Sequence, residues 1–156
     1  MGVDAAWVID ESSYAGREHL DPDFVAGYDR KQGHPGFDKD FAALREHGVL
    51  TAGATIVDLG AGTGRFALGA APHCARVVAV DISPAMVRHL RRAVADAGAS
   101  NIEVIQAGFL SYQHAGAPAD AIYCRNALHQ LPDFWKGIAL QRAAQALRAG
   151  GGASTA

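Results

Sequence analysis

Cysteine is scarce, with only Cys74 and Cys124, fifty positions apart and outside any CxxC pair. That spacing excludes a disulfide framework and reads as two reduced thiols. Seven histidines are present without HxH or HExxH spacing, so no metal site can be argued for. Apolar runs are short of the roughly 20 residues a membrane span needs, and Met1–Asp10 holds acids with no basic start or long apolar core, so no secretory signal is expected. Excess charge is missing as well. A formal net charge of −2 and a pI near 6.4 give no electrostatic pull toward nucleic acid or an anionic membrane. The one basic cluster, Arg88, Arg91 and Arg92, lies at helical spacing among Ala and Leu and reads as a solvated helix face. The expectation from these absences is a cytoplasmic chain with no nucleic-acid, membrane or metal partner.

What is there is a change of pattern near residue 50. At 156 residues the chain suits one structural domain, read as an N-terminal helical segment or lid (1–50) and an α/β part (51–156). In the first part, Asp21-Pro22 opens a helix to about Arg30, and a second runs from about Asp38 to His47, stopped by Gly48. In the second part, strands are predicted at Thr55–Leu59, Arg76–Val80, Asn101–Ile105 and Asp120–Cys124. Helices are predicted at about Arg65–Ala71, Pro84–Ala97 and Pro132–Leu147. Strands alternating with helices at this spacing predict a doubly wound parallel sheet, a Rossmann-like α/β/α three-layer fold with an N-terminal helical cap.

The first strand ends in Asp58-Leu59 and then in glycines at alternate positions, Gly60, Gly62 and Gly64, before Arg65 and Phe66. A strand turning that sharply into a helix needs positive φ or close ligand approach, which a Cβ obstructs. In open parallel sheets a ligand sits at the carboxyl ends of the strands, where strand order reverses. That selects Asp58 to Gly64, Asp81 with Ile82, Gly108 with Phe109, and Arg125 with Asn126 as one rim. Asp81 ends the second strand about 20 residues after the loop. There a carboxylate can accept hydrogen bonds from the vicinal hydroxyls of a ribose; the alternative is a cap on the turn before Ser83-Pro84, where Ser83 already supplies one. A dinucleotide fingerprint GxGxxG starting at Gly60 would need glycine where this chain has Arg65.

With Asp58 ahead of it, DLGAGTGRF (58–66) resembles motif I of class I S-adenosylmethionine-dependent methyltransferases. The resemblance continues through VVAVDISPAMV (77–87) and ADAIYCRNALHQLPDFW (119–135), and covers about Thr55 to Gly150. It implies S-adenosyl-L-methionine as cofactor and a methyl acceptor that is a small molecule. By the same resemblance Gly60, Ala61, Gly62 and Gly64 would flank the methionyl part, with Asp58 near its amino group. Asp81 would hold the ribose, Ile82 would pack on the adenine, and Arg125 and Asn126 would line the methionyl side. Many relatives carry an Asp after the third strand that contacts the adenine amino group. Here Gln106-Ala107-Gly108-Phe109 has no acid, which leaves backbone groups of Gly108 and Phe109 to serve.

For catalysis the candidate is His129, as a base or an acceptor-positioning group, with a structural histidine opening the last helix as the equal alternative. Tyr14, Tyr28 and His34 belong either to a lid over the pocket or to the packing of the first helices. The family's full sheet has more strands than the four read here. Arg148–Gly151 reads as a turn toward a missing fifth strand, so a C-terminally truncated form is expected. Its fourth strand, carrying Ala121, Ile122 and Tyr123, would be an exposed edge prone to self-association, and its catalysis impaired. Two other classes stay open. One is an NAD-dependent oxidoreductase, against which Arg65 stands, and the other a non-catalytic nucleoside-binding or interaction module.

Overall fold

A computed structural model of the protein describes residues 7–32 and 36–155. His34 lies outside the described residues. The N-terminal part has two short 3₁₀ turns, Glu11–Tyr14 and Arg17–Leu20, followed by α1 (Pro22–Gln32) and α2 (Asp38–Glu46). Then come β1 (Thr55–Leu59), α3 (Arg65–Ala70), β2 (Arg76–Asp81), α4 (Pro84–Asp96), β3 (Ile102–Gln106), β4 (Ala119–Cys124), α5 (Asp133–Ala146) and β5 (Leu147–Thr155). The predicted α/β architecture is therefore present, and each predicted strand and helix lies within a residue or two of its observed limits, a leading helix extended to Gln32 aside.

All five strands form one parallel sheet in the order β3-β2-β1-β4-β5. β1 is central, flanked by β2 and β4, and all five of its residues are buried. Side chains alternate across the pleat. Ile56, Val77, Ala79, Ala121 and Tyr123 face a core built with Phe66, Ala67 and Ala70 of α3, Leu90 of α4 and Leu44 of α2. Val57, Leu59, Val78, Val80, Ile122 and Cys124 face the opposite core, against Ala143 and Ala146 of α5. The order reverses between β1 and β4, and the crevice opens there.

The fifth strand corrects the sequence reading. Beside β4, Leu147–Thr155 forms a ladder in which Ala121, Ile122 and Tyr123 pair with Gly152, Ala153 and Ser154. β4 is thus an interior strand, and the self-association predicted through its open edge loses its structural basis. Arg148–Gly151 is not a turn before a lost strand but an irregular part of the strand itself, since β4 moves from Ala119 to Ala121 while β5 moves from Leu147 to Gly152. Glycine-rich backbone has low strand propensity; the hydrogen-bonding edge of β4 supplies what propensity does not.

Candidate functional site

The glycine loop is built by backbone bonds to β2. The amides of Gly60 and Ala61 both donate to the Val80 carbonyl, at 2.8 and 2.9 Å, and the amide of Gly62 donates to Asp81 Oδ2 at 2.8 Å. Asp81 Oδ1 accepts from the Ser83 amide at 2.9 Å, while Ser83 caps α4 by accepting from the Met86 amide at 3.2 Å. Asp81 therefore does serve the turn, yet each of its oxygens retains a second lone pair. Burial raises its carboxyl above the usual carboxylate range, and the bonds from Ser83 and Gly62 and the nearby His19 oppose that rise.

The three glycines do different work. At Gly62, φ is +57° and a side chain would meet nothing within 4 Å, so this residue faces the open crevice. Gly60, at φ +78°, leaves no room for a Cβ against the Ala127 methyl, which would lie 2.6 Å away. Gly64, at φ +86°, opens α3 from the left-handed region, and a Cβ there would overlap the Leu90 side chain. It supports the loop from the core side and does not line the cavity.

The crevice is a cavity of about 240 Å³. Asp58, Gly60, Ala61, Gly62, Asp81, Ile82, Gly108, Phe109, Arg125 and Asn126 all line it, as do Tyr14 and Tyr28. His129 does not; it lies in a 3₁₀ turn (Leu128–Gln130), exposed, while its neighbours Gln130 and Leu131 face the cavity. Asn126 holds a left-handed φ of 54°, the only such non-glycine residue among those described, which turns the chain sharply at the exit of β4. The Cys124 thiol is pushed up to about 11 by burial and is inert.

Asp58 forms the acidic floor. It is 2% exposed, its Oδ2 has no hydrogen-bond partner among the described residues, and burial followed by repulsion from Asp81 pushes its carboxyl up to about 8. The Tyr123 hydroxyl is the other buried side-chain polar atom without a bonded partner among the described residues, its ring stacked on Phe66 with centroids 3.6 Å apart.

The roof comes from the N-terminal segment, which grips three strand ends through carboxylates. Glu11 accepts from the amides of Leu110 and Ser111 after β3, at 2.8 and 3.2 Å. Asp29 of α1 accepts from Thr63 Oγ1 at 2.7 Å in the glycine loop. Asp40 of α2 takes Arg125 Nη1 at 3.1 Å after β4, while that guanidinium lies over Phe37 at 5.4 Å. None of these contacts was predicted, because each joins residues dozens of positions apart with no motif around the acid. Tyr28 belongs to both alternatives raised for it, lining the cavity while packing on Val25, Ala85 and Met86.

An open parallel sheet with a glycine loop after β1 and an acid closing β2 defines a nucleoside-cofactor fold of the doubly wound class. Residues 56–151, more than half of the chain, match the family model for a methyltransferase domain, and the chain belongs to that family. No curated protein sequence gives a significant match. Among solved structures, magnesium protoporphyrin IX methyltransferase from Synechocystis, crystallised with S-adenosylmethionine, superposes with a TM-score of 0.71 at 18% identity, over 90% of this chain and 74% of that one. The YcgJ protein of Bacillus subtilis gives 0.58 at 24% identity, over 67% and 45%. Phosphoethanolamine N-methyltransferase 1 of Haemonchus contortus, in complex with phosphoethanolamine and S-adenosylhomocysteine, gives 0.61 at 22%, over 71% and 23%. These likenesses concern the fold, and the chain spans less than half the length of the last two.

Proposed function

We propose that the crevice binds S-adenosyl-L-methionine and that the chain transfers its methyl group to a small-molecule acceptor. The observation that carries this reading is the partnerless carboxyl oxygen of Asp58, buried in the floor beside the open face of Gly62. A buried acid without a partner costs a few kcal/mol unless a ligand supplies the missing donor, and an amino-acid ammonium is such a donor. The cavity wall carries Glu11, Asp29, Asp58 and Asp81 against Arg65 and Arg125, a balance that suits a ligand with a sulfonium, an ammonium and one carboxylate. Asp58 would take the ammonium, Asp81 the ribose hydroxyls through its remaining lone pairs, and Arg125 the carboxylate. When bound, the sulfonium supplies a methyl carbon already activated for transfer, so the protein's own task is alignment and exclusion of water. Gly62 lets the ligand lie against the backbone, and the roof held by Glu11, Asp29 and Asp40 covers it on the N-terminal side.

The acceptor enters this reading on the N-terminal side, where Tyr14, His19, Tyr28 and Phe37 face the cavity. His129 has no place in it, because its ring is exposed outside that wall.

Calorimetric titration with S-adenosylmethionine and with NAD tests the assignment. Wild type should bind the first and not the second, and Asp81→Ala should weaken binding by about tenfold to a hundredfold, the loss of one or two charge-assisted hydrogen bonds. Equal affinity in the two proteins would remove Asp81 from the ribose.

A further inference from the structure

The loop after β3 has no acid of its own, yet a carboxylate stands in it. Glu11, only 8% exposed, arrives from the first 3₁₀ turn and seats its two oxygens on the amides of Leu110 and Ser111. Ser111 in turn accepts the Gly108 amide on its hydroxyl at 2.8 Å, which fixes the loop as a receptor for the incoming acid. A glutamate this deep in a protein is rare without a partner, and here the partners are backbone.

Position 108 shows why. A Cβ added to Gly108 would land on the Glu11 carboxylate, against its carbon and both oxygens. The backbone of Gly108 is not in the left-handed region, so glycine is not required there by φ. It is required by Glu11, whose carboxylate fills the volume that a side chain at 108 would take. Each Glu11 oxygen keeps a second lone pair after bonding its amide, and the residue lines the cavity beside Ile82, Ala107 and Phe109, next to the Asp81 end. An apolar slot with one fixed acceptor beyond the ribose-binding acid matches the edge of a flat base that presents an N–H donor.

We propose that Glu11 is the base-recognition residue of the cofactor site, its carboxylate, seated against Gly108, accepting a hydrogen bond from the exocyclic amine of adenine. The inference rests on the S-adenosylmethionine reading. It makes the N-terminal turn part of the binding site, so that cofactor selection depends on a residue separated by about a hundred positions from the loop it completes.

Binding of S-adenosylhomocysteine and of S-inosylhomocysteine, measured by calorimetry, tests it. The inosyl compound has an oxo group where adenine has the amine and would set oxygen against oxygen at Glu11. Wild type should favour the adenosyl compound by about tenfold to a hundredfold, the scale of leaving a buried polar group unmatched. In Glu11→Gln the amide oxygen can still accept from Leu110, while its NH₂ no longer accepts, and the preference should fall to within about threefold. The double variant Glu11→Ala/Gly108→Asp places a carboxylate back in the vacated volume and should restore the preference. Equal binding of both compounds by wild type overturns the proposal. So does an equal loss for both compounds in Glu11→Gln, the behaviour of a residue that only ties down the N-terminal turn. If wild type binds neither compound, the cofactor reading itself falls and the inference with it.

Discussion

Gly64→Val is expected to cost the fold about 2–5 kcal/mol, a large share of the 5–15 kcal/mol that holds a domain together. Two separable effects contribute. A non-glycine residue at φ +86° costs about 1–2 kcal/mol from the left-handed backbone alone. The Cβ and its methyls would then drive into Leu90, which is fully buried, and overpacking of a closed core costs about 1–3 kcal/mol. Combining Gly64→Ala with Leu90→Ala separates them. Each single change should destabilise, but the pair should be less destabilised than the sum by at least about 1 kcal/mol, because the shortened side chain makes room for the new methyl. Strict additivity in urea unfolding would show that Gly64 is needed for its backbone angle only.

Asp58→Asn is expected to make the protein more stable at pH 8 and to weaken its cofactor binding. The carboxyl ionises at about 3.8 when the chain is unfolded and at about 8 in the folded protein, so between those values the folded state holds a proton the unfolded state has released. Stability attributable to this group is therefore full below pH 4, falls by about 1.4 kcal/mol per unit as pH rises, and levels off above pH 8. Over the whole window the loss is on the order of 5 kcal/mol for a group this completely buried. Asparagine has no proton to lose and should remove that slope. A shallower one should remain from Asp81 and Glu11, whose carboxyls burial also raises. Urea midpoints from pH 5 to 8 measure the slope. Affinity for S-adenosylhomocysteine should drop about tenfold or more in the variant, since an amide, unlike the carboxyl, cannot give up a proton to become the charge facing the ammonium. A variant less stable than wild type at pH 8, or one that binds equally well, would contradict the assignment of Asp58 as a strained acid awaiting a cation.

Much of the sheet was legible because its strands are buried on both faces. Val77 to Val80 and Ile56 to Val57 run without polar interruption, and that continuity survives translation from sequence to structure better than an alternating pattern does. Asp58 and Asp81 were legible for a related reason: an acid within or closing so apolar a run is conspicuous, even though Asp81 also holds the Gly62 and Ser83 amides. Illegible parts depended on distance. β5 carries Gly150, Gly151 and Gly152, and only the ladder offered by β4 makes it a strand. Glu11 meets Leu110 and Ser111 from about a hundred positions earlier in the chain, and nothing around it in sequence marks it as buried. Gly64 and His129 illustrate a subtler limit. Both lie within a few residues of true cavity residues, yet the twist of a helix start turns one toward Leu90 and a 3₁₀ turn carries the other to solvent. Adjacency in sequence gives proximity but not direction.

The central place of β1 has a consequence for how the protein forms. One of its edges is completed by β2, which follows it closely, and the other by β4, which begins only at Ala119. During synthesis from the N-terminus, a strand whose residues all end up buried waits with one hydrogen-bonding edge open until more than half of the chain has been made. Parallel pairings of this span close large loops before they gain anything and so form slowly. Until β4 docks, the open edge of β1 is a template for mispairing. The first strand made is therefore sealed on both edges later than the second, which has β1 and β3 beside it as soon as Gln106 is in place.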